Sequence, residues 1–315
     1  MEARTLRLAH VLCPTDFSDF SARALRHAIA VAKELGGDLT VPYVCPYVVP
    51  LGGEVPYYAS EQLGSVARAE MIGRLKEFSE PAVAAGVQVR FPLLEGDPAR
   101  EIARLAETLP ADLLVLGTHG RGGFERFLLG SVTEKLLHRA ACPILTVCHA
   151  DGPGESTRPR RILCATDLRG ASEPVVDYAL ALAEARHAEL TLLHVLEGAP
   201  EFEPGAPLRF SVPESHELRE ALERAARERL RTMLPQETRR RVEVRELIAA
   251  GRAYKEILRL AREDGPELIV MGAHGHGALE HMLFGSTTHH VVREAPCPVL
   301  VVRPPALRRG QGQVA

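Results

Sequence analysis

The stretch Leu113-Leu114-Val115-Leu116-Gly117-Thr118-His119-Gly120, completed by Gly130-Ser131 after nine intervening residues, decides how the chain is read. An apolar run of strand length enters a glycine turn, and a later glycine sits just before a segment with helical spacing. The pattern returns as Leu268-Ile269-Val270-Met271-Gly272-Ala273-His274-Gly275, with Gly285-Ser286 after the same nine-residue interval. Each glycine–serine step then falls at a helix N-terminus, where unpaired backbone N–H groups and the helix dipole favour an anion. Two such patterns point to two nucleotide sites in one chain.

Working outward, the two halves align along most of their length. Asp16 and Asp167 lie 151 positions apart (167 − 16), as do Tyr43 and His194. From Gly96 and Gly251 onward the offset is 155 (251 − 96), and it holds through Cys142 and Cys297. A period of domain size is a duplication, not a solenoid. In the first copy Leu8 to Cys13 reads as a strand. A helix follows with Ser18 or Asp19 as cap and Gly36-Gly37 as stop, then a strand over Leu39 to Val44. A helix from about Glu61 to the Ala82-Val83 region and a strand over Val87 to Leu94 come next. Asp97-Pro98 opens another helix. The second copy repeats the order: Ile162 to Ala165, Val175 to Ala183, Leu190 to Leu196, Ser215 to Leu234, Val242 to Ile248, and Tyr254 to Ala261.

Such alternation with uniformly apolar strands means a parallel, doubly wound sheet of five strands in each half. The last strands open with proline, Pro143 and Pro298, which suits a sheet edge. Apolar edges of this kind need a partner, and their pairing about a pseudo-twofold axis is the expected remedy. The joining segment, His149 to Pro159, is polar and rich in breakers. Two irregular stretches, 46–60 and 198–213, follow the second strand of each copy and read as solvated loops or as cover for a site.

Composition excludes several classes. The chain has 315 residues, 46% of them hydrophobic and 25% charged, with a formal net charge of −3. That balance supplies no electrostatic reason to expect nucleic acid or an anionic membrane as partner. The opening residues lack a signal-like apolar core, and no run approaches a membrane span, so a cytoplasmic location is expected. The six cysteines form no Cys-x-x-Cys pair and read as buried small apolar residues. His274, His276, His281, His289 and His290 invite a zinc reading, but no cysteine or carboxylate completes a four-ligand pattern, and no metal site is expected.

In an open parallel sheet, ligands bind beyond the carboxyl ends of the strands, where strand order reverses. Three parts of each copy converge there. They are the first strand's exit (Pro14-Thr15-Asp16; Ala165-Thr166-Asp167), the second strand's end (Val44; Val195) and the glycine motif. Gly117 and Gly120 leave room for a backbone to approach phosphate. Ser131 adds a hydroxyl to the helix N–H groups, with Val132 and Thr133 next in line. Gly285, Ser286, Thr287 and Thr288 repeat the arrangement, and His119 and His274 sit within the turns.

These residues make the chain resemble the universal stress protein family, in its ATP-binding branch and tandem-domain form. The pattern Gly-x2-Gly-x9-Gly-Ser is met twice, each time behind a Thr-Asp at the first strand's exit. The resemblance covers nearly the whole chain. It implies two Rossmann-like domains of the adenine nucleotide α-hydrolase kind, at 1–150 and 159–308. It also implies ATP as ligand, with ADP or AMP as alternatives and magnesium alongside. By the resemblance Asp16 and Asp167 contact the nucleotide, while Val44, Val195, Leu116 and Met271 line the adenine pocket. An aspartate after a strand also serves as a helix cap, and a valine as plain core, so both readings stand.

Two departures distinguish the copies. The nine-residue segment carries Arg121 and Arg126 in the first and His276 and His281 in the second, so the second site is expected to bind more strongly as pH falls towards about 6. Pro42 stands where the second copy has Leu193, and a bulge there is expected to reshape the first site. Catalytic signatures are missing: no P-loop lysine, no Gly-x-Ser-x-Gly elbow, no His-Glu-x-x-His. The leading reading is a regulatory, stress-response module whose conformation or protein partner depends on ATP. The alternatives are a nucleotide-using enzyme (a slow ATPase, a self-phosphorylating protein or a nucleotidyltransferase-like one) and a structural dimerisation module with one or both sites empty. A homodimer is left open.

Overall fold

A computed structural model describes residues 8–45, 57–119, 129–148, 158–169, 172–197, 216–234, 236–273 and 285–303. They fall into two compact units, within residues 7–157 and 158–306. The first contains β1 (His10–Leu12), α1 (Asp19–Leu35), β2 (Asp38–Thr40), β3 (Tyr43–Cys45), α2 (Tyr57–Ala84) and β4 (Val89–Arg90). It continues with β5 (Leu93–Glu95), α3 (Pro98–Thr108), β6 (Leu113–Gly117), α4 (Ser131–Arg139) and β7 (Ile144–Val147). The second contains β8 (Arg161–Thr166), α5 (Glu173–Arg186), β9 (Glu189–Leu196), α6 (His216–Thr232) and α7 (Gln236–Arg239). It ends with β10 (Val244–Ala250), α8 (Ala253–Glu263), β11 (Leu268–Gly272), α9 (Ser286–Glu294) and β12 (Val299–Val302).

Within the first unit the strand order is β4-β2-β1-β6-β7, and β5 pairs with β3. Within the second it is β10-β9-β8-β11-β12. The pairings inside each unit are parallel. This is the expected doubly wound α/β architecture, once in each unit. Order reverses between β1 and β6, and between β8 and β11, so a crevice opens at the carboxyl ends of those strands. The central strands show why: Leu113–Leu116 and Leu268–Met271 are four consecutive buried residues each. Only a strand covered by helices on both faces buries every side chain.

Local signals set most helix ends. Ser18 caps α1, its side chain accepting from the Ser21 N–H, and Gly36 ends that helix at φ 67°. Asp97 caps α3 by accepting from the Arg100 N–H, with Pro98 at the first turn. α2 begins at Tyr57, four positions before the expected start, so residues 57–60 are helical and not loop. Residues 46–56 and 198–213 lie outside the described residues, as does the proposed linker from His149 to Thr157. The short α7 between α6 and β10 was not anticipated.

At Pro42 the structure corrects the expected bulge. β2 pairs Leu39 with Val89 and Thr40 with Arg90, and β3 pairs Tyr43 with Leu93 and Val44 with Leu94. The spacing is 50 on both sides of the break (89 − 39 and 93 − 43), so no residue is inserted. What is missing is donors: Pro42 has no N–H for β1, and Pro92 has none for the neighbouring strand. Their carbonyls still serve, accepting from Thr15 N–H at 3.0 Å and from Tyr43 N–H at 3.1 Å.

Candidate functional site

The turn leaving the first strand is built alike in both units, and it is strained. Phe17 and Leu168 adopt φ of 63° and 61°, a left-handed conformation rare for large non-glycine residues. Such a residue costs about 1–2 kcal/mol, so something must hold it. Thr15 Oγ1 accepts from the Phe17 N–H at 2.9 Å, and Thr166 Oγ1 from the Leu168 N–H at 3.1 Å. One carboxylate oxygen of Asp16 accepts from the Ser18 N–H at 3.0 Å and from its hydroxyl at 2.5 Å. Asp167 does the same for the Arg169 N–H, at 3.1 Å, and for the Ser172 hydroxyl. Bonds to a charged acceptor are worth about 1.5–3 kcal/mol, enough to offset the strain.

Two placements follow that differ from the simplest reading of the motif. The hydroxyls of Thr15 and Thr166 belong to the turn, and both residues are buried. Asp16 and Asp167 act as turn and helix-start groups. Pro14 and Ala165, half-buried, precede them at the strand ends.

On the other side of the crevice, α4 and α9 begin at the expected steps. Gly130 and Gly285 are the N-cap residues, with φ of −59° and −64°, and neither helix has a side-chain cap. Gly130 N–H donates to the Thr118 carbonyl at 2.8 Å and Gly285 N–H to the Ala273 carbonyl at 2.9 Å. The first intrahelical bonds come from Glu134 to the Gly130 carbonyl and from His289 to the Gly285 carbonyl, both 2.9 Å. The N–H groups of Ser131, Val132 and Thr133, and of Ser286, Thr287 and Thr288, precede those bonds and have no acceptor within their helix. Ser131 and Ser286 are exposed. Thr133 and Thr288 are buried, and their hydroxyls donate to the Gly117 and Gly272 carbonyls at 2.8 and 2.9 Å. They tie helix start to strand end.

Gly117 is closely approached by a neighbouring helix. A Cβ there would lie 2.9 Å from the Phe20 Cβ and 3.0 Å from the Phe20 carbonyl carbon and oxygen. The close approach that demands glycine is made by the first turn of α1. Gly120, His274, Gly275 and the residues Arg121, Arg126, His276 and His281 lie outside the described residues. Of the remaining expected residues, Val44, Val195, Leu116 and Met271 are buried at the carboxyl ends of their strands. His119 is half-buried, with Nδ1 3.0 Å from the Thr118 hydroxyl and its ring 5.1 Å from that of Phe20.

The thiols nearby are inert. Cys13, just past the end of β1, and Cys164, on β8, are fully buried, and burial raises both pKa values, that of Cys164 to about 12. A cavity of about 260 Å³ lies at the opposite, amino end of β8, β9 and β10, lined by Arg161, Thr191, Arg245 and Asp264 among others. Both of its arginines are already paired, Arg245 3.3 Å from Asp264 and Arg161 3.6 Å from Glu267. The carboxyl-end crevice, where fold and motif agree, is therefore the candidate site.

Residues 8–147 and 159–303 both match the family described as the universal stress protein family. The chain belongs to that family. A universal stress protein of Mycolicibacterium smegmatis is 29% identical over 300 residues, covering 93% of this chain and 97% of that relative. One from Methanocaldococcus jannaschii is 40% identical over 137 residues, 44% of this chain and 80% of its own. The crystal structure of a universal stress protein from Archaeoglobus fulgidus is similar with a TM-score of 0.63 at 27% identity, covering 94% of this chain and 97% of that one. The tandem arrangement is thus shared by full-length relatives. Among the described residues, no helix is long and apolar enough to cross a membrane.

Sequence reasoning missed the residues that hold the site together. Phe17 and Leu168 carry the strain, and Ser18 and Ser172 share the carboxylates. Arg229 Nε donates to the Leu168 carbonyl at 2.8 Å. Arg74 lies 4.5 Å over the Phe17 ring, which itself sits 4.9 Å from Tyr43 and 5.6 Å from Phe78. The signal available was the recurrence of Arg74 and Arg229 at the 155-residue offset (229 − 74), next to the equally recurrent Leu75 and Leu230.

Proposed function

We propose that this universal stress protein binds one adenine nucleotide in each unit, at the carboxyl-end crevice, and acts as a regulatory module. The phosphates would sit at the N-termini of α4 and α9, against the N–H groups of residues 131–133 and 286–288. The base would lie toward Val44 and Leu116 in the first unit and Val195 and Met271 in the second. The observation that carries the reading is the pair of helices that begin without a side-chain cap at the two points where strand order reverses. ATP is the favoured ligand, with ADP and AMP as alternatives. Magnesium takes oxygen ligands, and among the described residues the exposed hydroxyls of Ser131 and Ser286 lie beside the proposed phosphates. The ion would therefore arrive with the nucleotide. Stress response, cytoplasmic location, a regulatory protein partner and a homodimer belong to the same proposal, with turnover at most that of a slow ATPase or of self-phosphorylation.

The test separates binding from fold. Gly130 and Gly285 have φ values open to any residue, so Gly130→Asp and Gly285→Asp supply the missing caps. A carboxylate there satisfies the N–H groups that phosphate would use and repels phosphate, while stabilising the helix. Nucleotide released on denaturation, counted per chain after incubation with ATP and magnesium, should be two for the native protein. It should fall to one in either variant and to none in the double variant, with melting temperature held or raised. No nucleotide in the native protein at millimolar ATP, or an undiminished count in the double variant, overturns the proposal.

A further inference from the structure

Arg74 of α2 and Arg229 of α6 occupy matching positions, each beside a fully buried leucine, Leu75 and Leu230. Both reach the same place, the left-handed residue of the exit turn, by different chemistry. Arg229 donates from Nε to the Leu168 carbonyl at 2.8 Å, across 61 residues of sequence. Arg74 places its guanidinium 4.5 Å over the ring of Phe17. A left-handed residue turns its carbonyl out of both strand and helix ladders, so that carbonyl needs a donor from elsewhere. Leu168 obtains it from Arg229. In the first unit the aromatic side chain offers a π face, and the arginine stacks there instead.

We propose that Arg229 and Arg74 are positioning residues that hold the exit turns in their left-handed form and so set the affinity of the two nucleotide sites. The role in affinity rests on the reading of the crevice as a nucleotide site; the role in the turn does not. The turn carries Asp167 and Asp16 toward the crevice and starts α5 and α1. If it relaxed, the N–H groups of Leu168 and Arg169 would leave the Thr166 hydroxyl and the Asp167 carboxylate, to which they donate at 3.1 Å each. A directed hydrogen bond holds geometry more tightly than an exposed cation–π contact, so Arg229 matters more to its site than Arg74 to its own.

The experiment is a double-mutant cycle between Arg229→Ala and Leu168→Gly in the full chain. Glycine takes the left-handed conformation without steric cost, so it removes the need for a holder. With Leu168 present, Arg229→Ala should speed amide exchange at Leu168 and Arg169 about tenfold and weaken ATP binding at the second site by a similar factor. With Leu168→Gly present, the same substitution should change either by less than about twofold, whatever the glycine itself costs. Arg74→Ala should weaken only the first site, by about threefold. Arg229→Gln serves if the alanine variant does not fold. Unchanged exchange in Arg229→Ala, or an equal effect in both backgrounds, overturns the inference. A native protein that binds no ATP defeats the functional reading, while the exchange measurement still decides the role of Arg229.

Discussion

The second and third strands make the sharpest contrast between the two units. In the second unit β9 runs unbroken for eight residues and β10 for seven. In the first, Pro42 and Pro92 divide the same strands into β2 and β3, and β4 and β5. Yet the register on either side of the break is unchanged. In a parallel ladder each residue bonds to one side only, so a proline deletes a single donor and leaves its carbonyl in place. The extended chain is held by its remaining bonds and by burial of Val41 and Val44. The fold tolerates a weakened ladder more readily than an altered core.

The comparison is broken most severely through that core. Leu75→Ala and Leu230→Ala each remove a fully buried side chain at matching positions, and each should cost about 3 kcal/mol in urea unfolding of its own unit. A cost below about 1 kcal/mol in one of them would mean that the two helices are not packed alike. Gly117→Ala should cost about 2 kcal/mol, because the added methyl meets Phe20 at 2.9–3.0 Å, part of it backbone. The loss should appear whether or not nucleotide is present.

A smaller difference lies at the start of α3 and α8. Asp97 caps α3, whereas Arg252 at the matching position makes no side-chain cap bond. Asp97→Ala should therefore destabilise by about 1 kcal/mol at neutral pH, and Arg252→Asp should stabilise the second unit by up to that amount. The Arg100 N–H, and then Lys135, hold the Asp97 carboxyl below its usual pKa. A folded-state pKa below the unfolded one contributes stability above the ordinary carboxylate range, near pH 4, that is lost as pH falls through the lowered value. Denaturation curves of Asp97→Ala and native protein should accordingly converge in acid. The smallest effect is expected from Pro42→Leu, which copies Leu193 into the first unit. The regained ladder bond and the greater freedom of the unfolded chain nearly cancel, leaving under about 1 kcal/mol, but the new amide at 42 should be protected from exchange.

What could be read from sequence was local or repeated. Ser18 and Asp97 as caps, Gly36 as a stop, and Gly130 and Gly285 at helix starts depend on neighbours a few residues away, and they stand where the pattern puts them. Alternation of strand and helix, seen twice, was sufficient for a doubly wound sheet in each unit. The exit turn was legible only in part. Thr-Asp marked the place, but nothing in it announces that Phe17 and Leu168 turn left-handed, because large side chains ordinarily refuse that conformation.

By itself, then, the sequence determined the order of elements, the duplication and the two points where a crevice must open, since periodicity and chain breakers act over one or two turns. Tertiary structure alone decided which groups face that crevice. The hydroxyls of Thr15, Thr133, Thr166 and Thr288, all candidates by type, are drawn inward onto the turns and onto strand-end carbonyls. The room at Gly117 is taken by α1, and the exit turn of the second unit is held by an arginine 61 residues away. The physical reason is that a buried polar group must find its partner wherever packing brings one, and that distance in space is not written in the spacing of the chain.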